Sequence, residues 1–220
     1  MKTILGFLTS LKKNNNREWF EANKDKYLKA KAELEAITNR LIEGLSKFDK
    51  DINSNELKAS NCVFRIYKDV RFSKDKTPYK TNMGASINPG GKKSPIPGYY
   101  FHFEPGNCFV AGGVYMPSPE HLQAIRQEID YHAEPLIKLF KNKAFSAYFK
   151  GLDEIDSLKN APKGYEKDHK HLELLKHKHF IVSYTFKDKD LADPKEIEKM
   201  LSACKAMYPF LQYLRQAIDK

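Results

Sequence analysis

Between Arg65 and Arg71 of this 220-residue chain, Arg65, Tyr67, Asp69 and Arg71 recur at every second position. On a strand, where successive side chains point to opposite faces, these four share one face, roughly 6.6 Å apart in a row about 20 Å long. Guanidinium forks suit the paired oxygens of a carboxylate or phosphate, and Asp69 between two arginines can hold both in place. Tyr67 adds a group able to move a proton, provided that it lies within reach of a reacting atom. The opposite face of the strand expected over Cys62 to Phe72 carries Cys62, Phe64, Ile66, Val70 and Phe72, broken only by Lys68, and suits a core. Ser73 to Lys80 then reads as a turn, with Pro78 pushing Thr77 away from the helical region. Six positive residues (Arg65, Lys68, Arg71, Lys74, Lys76, Lys80) against two negative (Asp69, Asp75) give this stretch the field of an anion site. The same pattern fits a solvent-facing hairpin whose Arg and Asp pair with each other.

Other residues extend the candidate site. In Tyr99 to Glu104, Tyr100, His102 and Glu104 alternate with Tyr99, Phe101 and Phe103, so one face is polar and the other aromatic. If that polar face and the arginine row look the same way, His102 joins Tyr67 as a proton-transfer candidate in one cleft. Gly112 and Gly113 on the following strand either leave room for a ligand or mark a bulge. Tyr79, Tyr99 and Trp19 are available for base stacking. The loop Pro89 to Gly98 has glycines and lysines without the spacing of a P-loop, and reads as a mobile flap or a plain long hairpin loop. His169, His171, His177 and His179 match no zinc pattern, so neither a metal nor a cofactor is expected.

RIYKDVRFSKDKTPYKT (Arg65 to Thr81), NNNREWFEANKDKY (Asn14 to Tyr27), Gly112-Gly113 and LKNAPKGY (Leu158 to Tyr165) together resemble the mainly bacterial domain-of-unknown-function family 2461. The resemblance covers nearly the whole chain. It implies a single-domain, cytoplasmic protein and carries no activity with it. It includes Lys163 and Tyr165, which sit on the turn Ala161-Pro162-Lys163-Gly164 and either point into the site or serve the turn alone.

The elements that must position these residues follow from pattern. Ile4 to Leu11 reads as a short helix, and Asn15 with Glu18 three residues on as the capping box of a second. Ala30, Leu34, Ile37, Leu41, Leu45 and Phe48 make one apolar helical face. Thr81 to Asn88 reads as a strand, and Tyr99 to Glu104 with Cys108 to Met116 as a hairpin around Pro105-Gly106-Asn107. Ser118-Pro119-Glu120 starts a helix, Glu134 to Phe149 is a helix or a broken pair, and Phe180 to Phe186 is a strand. Asp193-Pro194-Lys195-Glu196 starts the last helix, which Pro209 should kink or interrupt. The expectation is a single-domain α+β fold over residues 1–220, a mostly antiparallel sheet of about five or six strands with helices from both ends of the chain packed on it.

Composition bounds the function. Cys62, Cys108 and Cys204 are far apart and form no C-x-x-C pair, which fits a reducing, cytoplasmic compartment. No run approaches the ~20 apolar residues of a membrane span, and the N-terminus lacks a signal-peptide pattern. The formal charge of +10 invites nucleic acid as a partner, but only six of the 38 basic residues are arginines, and two of those sit in the central stretch. That favours a compact pocket for a phosphate- or carboxylate-bearing small molecule, bound by Arg65, Asp69, Arg71, Lys76, Tyr79, Lys80 and Lys163. No nucleophile or metal motif names a reaction. Nucleic-acid binding through the basic strand and loop, and a structural or interaction module with an internal Arg/Asp network, remain the alternatives.

Overall fold

Helix α1 (Lys2–Lys13) places Ile4, Phe7, Leu8 and Leu11 on one buried stripe, at the three- and four-residue steps of a helix face. It has no acidic residue in its own first turn; Glu33 supplies the carboxylate instead, accepting from the Ile4 amide at 2.9 Å. Arg17–Ala22 (α2) and Lys24–Ser46 (α3) follow as two helices that break at Asn23. The α3 face of Ala30, Leu34, Ile37, Leu41 and Leu45 is buried, as the spacing requires, and packs on α1, α4 (Ala59–Cys62) and β1 (Met83–Ile87). The cap of α2 is Asn16, whose Oδ1 accepts from the Trp19 amide at 2.9 Å, and not Asn15.

The computed structural model describes residues 1–193 and 195–219. Its sheet runs in the order β1-β2-β3-β4, antiparallel, with β2 at Gly98–Phe103, β3 at Cys108–Val114 and β4 at Phe180–Phe186. The fold is α+β, with helices contributed by both ends of the chain. Among the described residues the sheet has four strands where five or six were expected. The difference lies in Cys62 to Phe72, which pairs only through isolated bridges. No helix among the described residues is long and apolar enough to cross a membrane.

By contacts the chain forms two compact units, each assembled from separate segments. The first takes Met1–Ser94, Tyr100–Val110 and Thr185–Ser202. In it, the loop after β1 is pinned rather than loose: the Lys92 amide donates to Asn61 O and the Lys92 ammonium to Ser60 O, both at 3.0 Å.

The second unit takes Pro95–Tyr99, Ala111–Tyr184 and the chain from Ala203 onward. Its helices are α5 (Pro119–His132), capped by the Ser118 hydroxyl, then the broken pair α6 (Glu134–Phe140) and α7 (Lys143–Ser146), and α8 (Leu172–Leu175). Here Gly112 and Gly113 are corrected: a side chain at Gly112 would strike Met207, and one at Gly113 would strike the Phe180 carbonyl. Their role is close packing, and no ligand space lies over them.

The last helix, α9 (Glu196–Ile218), runs through Pro209 without interruption. Phe210, Leu211 and Leu214 are buried beyond the proline, while Lys205, whose carbonyl loses its helical partner, is exposed and open to water. Of the residues expected to start this helix, Pro194 lies outside those described. All three cysteines are buried and unpaired, and burial pushes the Cys62 and Cys108 thiols up to about 11.

Candidate functional site

The central stretch is an irregular hairpin, not a strand from Cys62 to Phe72. Cys62 closes α4, and the pairing that follows consists of two antiparallel bridges, Val63 with Ala85 and Tyr67 with Tyr79. The Phe64 amide donates to Gly84 O at 3.0 Å, Lys80 to Ile66 O at 2.9 Å and Lys68 to Pro78 O at 2.9 Å. Beyond Lys68 the chain leaves the ladder. Lys68 pairs with Asp75 across the loop, Asp75 accepts from the Thr77 amide at 2.9 Å, and the Lys76 ammonium donates to Val70 O at 3.0 Å. These ties hold the Asp75 carboxyl far below the usual carboxylate range, the Lys68 ammonium being the main cause. The alternation that looked like a buried face does not produce one: Ile66 is 2% exposed, but Phe64 is 37% and Phe72 is 96% exposed.

The four residues of the expected row therefore separate. Arg71 closes its fork on Asp69, Nε to Oδ1 at 3.0 Å and Nη2 to Oδ2 at 2.7 Å, on the surface. That bond, with the Arg71 amide, lowers the Asp69 carboxyl. Tyr67 and Tyr79 join an aromatic cluster, Tyr79 stacked on Phe20 at 3.9 Å and Tyr67 5.9 Å from Phe20. Tyr79 is buried, and its backbone is gripped by Asn15, which donates through Nδ2 to Tyr79 O (2.9 Å) and accepts through Oδ1 from Tyr79 N (3.2 Å). Tyr99 is likewise buried, so neither it nor Tyr79 offers a free ring face. Lys76 is committed to its own loop, and Lys163 lies exposed on a turn of the second unit.

Arg65 and Lys80 are brought together. They line one cavity of about 170 Å³ with Phe64, Asn82, Met83, Gly84 and Tyr100, all within the first unit. No carboxylate lines it. Among the described residues neither the Arg65 nor the Lys80 side chain makes a hydrogen bond or ion pair with another side chain or with backbone. Lys80 Nζ lies 5.7 Å over the Phe64 ring. Burial lowers the Lys80 ammonium, and the Arg65 charge lowers it further.

Behind the cavity wall runs a chain of polar groups on one face of β2. Tyr100 Oη is 2.8 Å from His102 Nδ1, and His102 Nε2 is 3.4 Å from Glu104 Oε2. Thr81 Oγ1 donates to Glu104 Oε1 at 2.9 Å. Phe109 of β3 stacks on the imidazole, centroids 4.6 Å apart and planes 13° from parallel. Burial pushes the Tyr100 phenol up to about 12, with the Glu104 charge adding to it. Burial also lowers His102, against a partial pull from Glu104. Glu104 is raised by burial, but the groups that donate to it outweigh this and leave it below its ordinary value. Gly84 makes room for this arrangement, since a Cβ there would lie 2.7 Å from Phe101 O and 3.0 Å from Tyr100 Oη.

The alternation of Tyr100, His102 and Glu104 was visible in the sequence, although Tyr100, which reaches the cavity, was not singled out for a role. Thr81, Asn82 and Gly84 were missed, because a strand pattern shows only that they alternate and not which neighbour they meet.

In the second unit, His169 Nε2 pairs with Asp130 at 2.9 Å and His179 Nδ1 accepts from the Met116 amide at 3.0 Å. Among the described residues no group of three or more His, Cys, Asp or Glu is arranged to hold a metal.

No curated protein and no solved structure matches the chain. Residues 3–213 match the family described as conserved hypothetical protein (DUF2461). With that match spanning nearly all of its length, the chain belongs to the DUF2461 family.

Proposed function

We propose that the protein binds a small anion, a phosphate or carboxylate group, in the cavity between Arg65 and Lys80. One observation carries this reading: an exposed arginine and a half-buried lysine share a cavity that no carboxylate lines, and neither has an ionic partner among the described residues. Lys80 is held half-buried beside a like charge, which disfavours its ammonium, and an anion between the two cations relieves that cost. The cavity is smaller than the roughly 300–1,000 Å³ typical of sites for drug-sized ligands, which supports a small molecule. Arg71 and Asp69 satisfy each other and contribute little to this reading.

Calorimetric titration of the full chain with inorganic phosphate and with small carboxylates tests it. Arg65→Ala is expected to weaken binding by about tenfold or more, the scale of a charge-assisted hydrogen bond lost, while Arg71→Ala leaves it unchanged. Because the bound anion raises the Lys80 pKa, binding in alkaline buffer should take up protons. Short oligonucleotides bound with a steep salt dependence, and equally well by Arg65→Ala, would transfer the role to the basic loop.

A further inference from the structure

The cavity's chemistry extends beyond its charge, because the groups behind Tyr100 fix where its proton goes. Ionised Glu104 can only accept, so the His102 nitrogen facing it, Nε2, carries the imidazole proton. With Nε2 protonated in the neutral ring, Nδ1 is an acceptor. The 2.8 Å contact between Nδ1 and Tyr100 Oη is then donated by the phenol. Tyr100 has no second proton, so its oxygen offers lone pairs alone to anything else it meets. Thr81 Oγ1 on Glu104 and the Phe109 ring on His102 hold the chain in this order. The tyrosine beside two cations is thus an acceptor, not a donor.

We infer that the ligand is a small hydroxy-anion, its carboxylate or phosphate held by Arg65 and Lys80 and its neutral hydroxyl donating to Tyr100 Oη. An ammonium group is a poor substitute for that hydroxyl, because Arg65 and Lys80 repel it. A ligand with no donor at this point forgoes that hydrogen bond, while the Tyr100 hydroxyl keeps its bond to His102. The inference rests on the anion-binding reading proposed above.

The test is calorimetric titration of the full chain at neutral pH with two pairs of probes matched for size. Glycolate and propionate make the carboxylate pair, 2-hydroxyethyl phosphate and propyl phosphate the phosphate pair. In the pair whose anion the site takes, the hydroxylated member is expected to bind at least about fivefold tighter. In Tyr100→Phe that ratio falls to about one, with the affinity for the member lacking the hydroxyl kept within about twofold. A ratio near one in the wild type for every anion that binds overturns the hydroxyl assignment and leaves anion binding standing; this comparison needs no variant to fold. If neither pair binds, the anion reading fails and the hydroxyl assignment fails with it. The pair that responds tells carboxylate from phosphate.

Discussion

Glu104 meets the cavity only through His102 and Tyr100 and does not line it, so under the proposed anion binding it is a positioning residue whose effect can be separated from the charge of Arg65 and Lys80. Replaced by glutamine, it can donate as well as accept, and it no longer forces the imidazole proton onto Nε2. The other tautomer then becomes available, with Nδ1–H donating to Tyr100 and the phenol free to donate into the cavity. Glu104→Gln is therefore expected to lower the preference for hydroxylated over non-hydroxylated anions by about fivefold while total anion binding persists, read by the same paired titrations. Loss of all binding in a folded Glu104→Gln would show instead that Glu104 contributes to the cavity's structure. The proton chain also explains why Gly84 is glycine: a methyl group there presses on the Phe101 carbonyl and on the phenol oxygen that must stay within reach of His102.

At the scale of elements, Asn15 joins the start of α2 to the arm that carries Lys80, through the nitrogen and the oxygen of its side-chain amide on the Tyr79 backbone. Asn15→Ala should destabilise the protein by roughly 1–3 kcal/mol, the cost of leaving partly buried backbone groups unpaired, and should weaken anion binding by loosening that arm. Asn16→Ala, one residue away, removes only a helix cap and should cost about 1 kcal/mol with binding unchanged. Urea unfolding with parallel titration separates the two variants. The contrast shows what could be read from the chain. Three consecutive asparagines carry the same local capping signal, and only Tyr79, distant in sequence, decides which one caps. The hairpin of β2 and β3 was legible because strict alternation and a Pro-Gly-Asn turn agree, as was α5 from its serine and proline. Cys62 to Phe72 alternates just as well yet is no strand, because Lys68, read as a lapse in the pattern, turns to Asp75 and draws the chain into a loop. Periodicity also gathered Asp69 and Arg71 to Arg65, whereas the cavity takes Arg65 with Lys80 across the hairpin and leaves the other two to pair in solvent.

For the whole molecule, acid acts in one direction. His102 faces Tyr100 on its own strand, Glu104 just past the end of that strand and Phe109 on the next, and burial lowers its pKa in the folded state. The unfolded chain, at the ordinary histidine value near 6.5, therefore takes up the proton first. The stability His102 contributes is present above that value and lost as pH falls through the lower folded one. Glu104, also lowered, loses its contribution as the pH falls further, and a formal charge of +10 at neutral pH makes added protons repel. Urea midpoints are expected to fall on acidification below about 6.5, with a shallower slope in His102→Gln; equal slopes would assign the effect to other groups. The interleaving of the two compact units bears on how the chain is made. The first unit is incomplete without Thr185–Ser202 and the second without the chain from Ala203 onward, so on the ribosome neither can close until those segments have emerged. Until then α3 lacks Leu201, which lies against its Gly44, and a nascent chain stalled before Thr185 should be a strong client for holding chaperones.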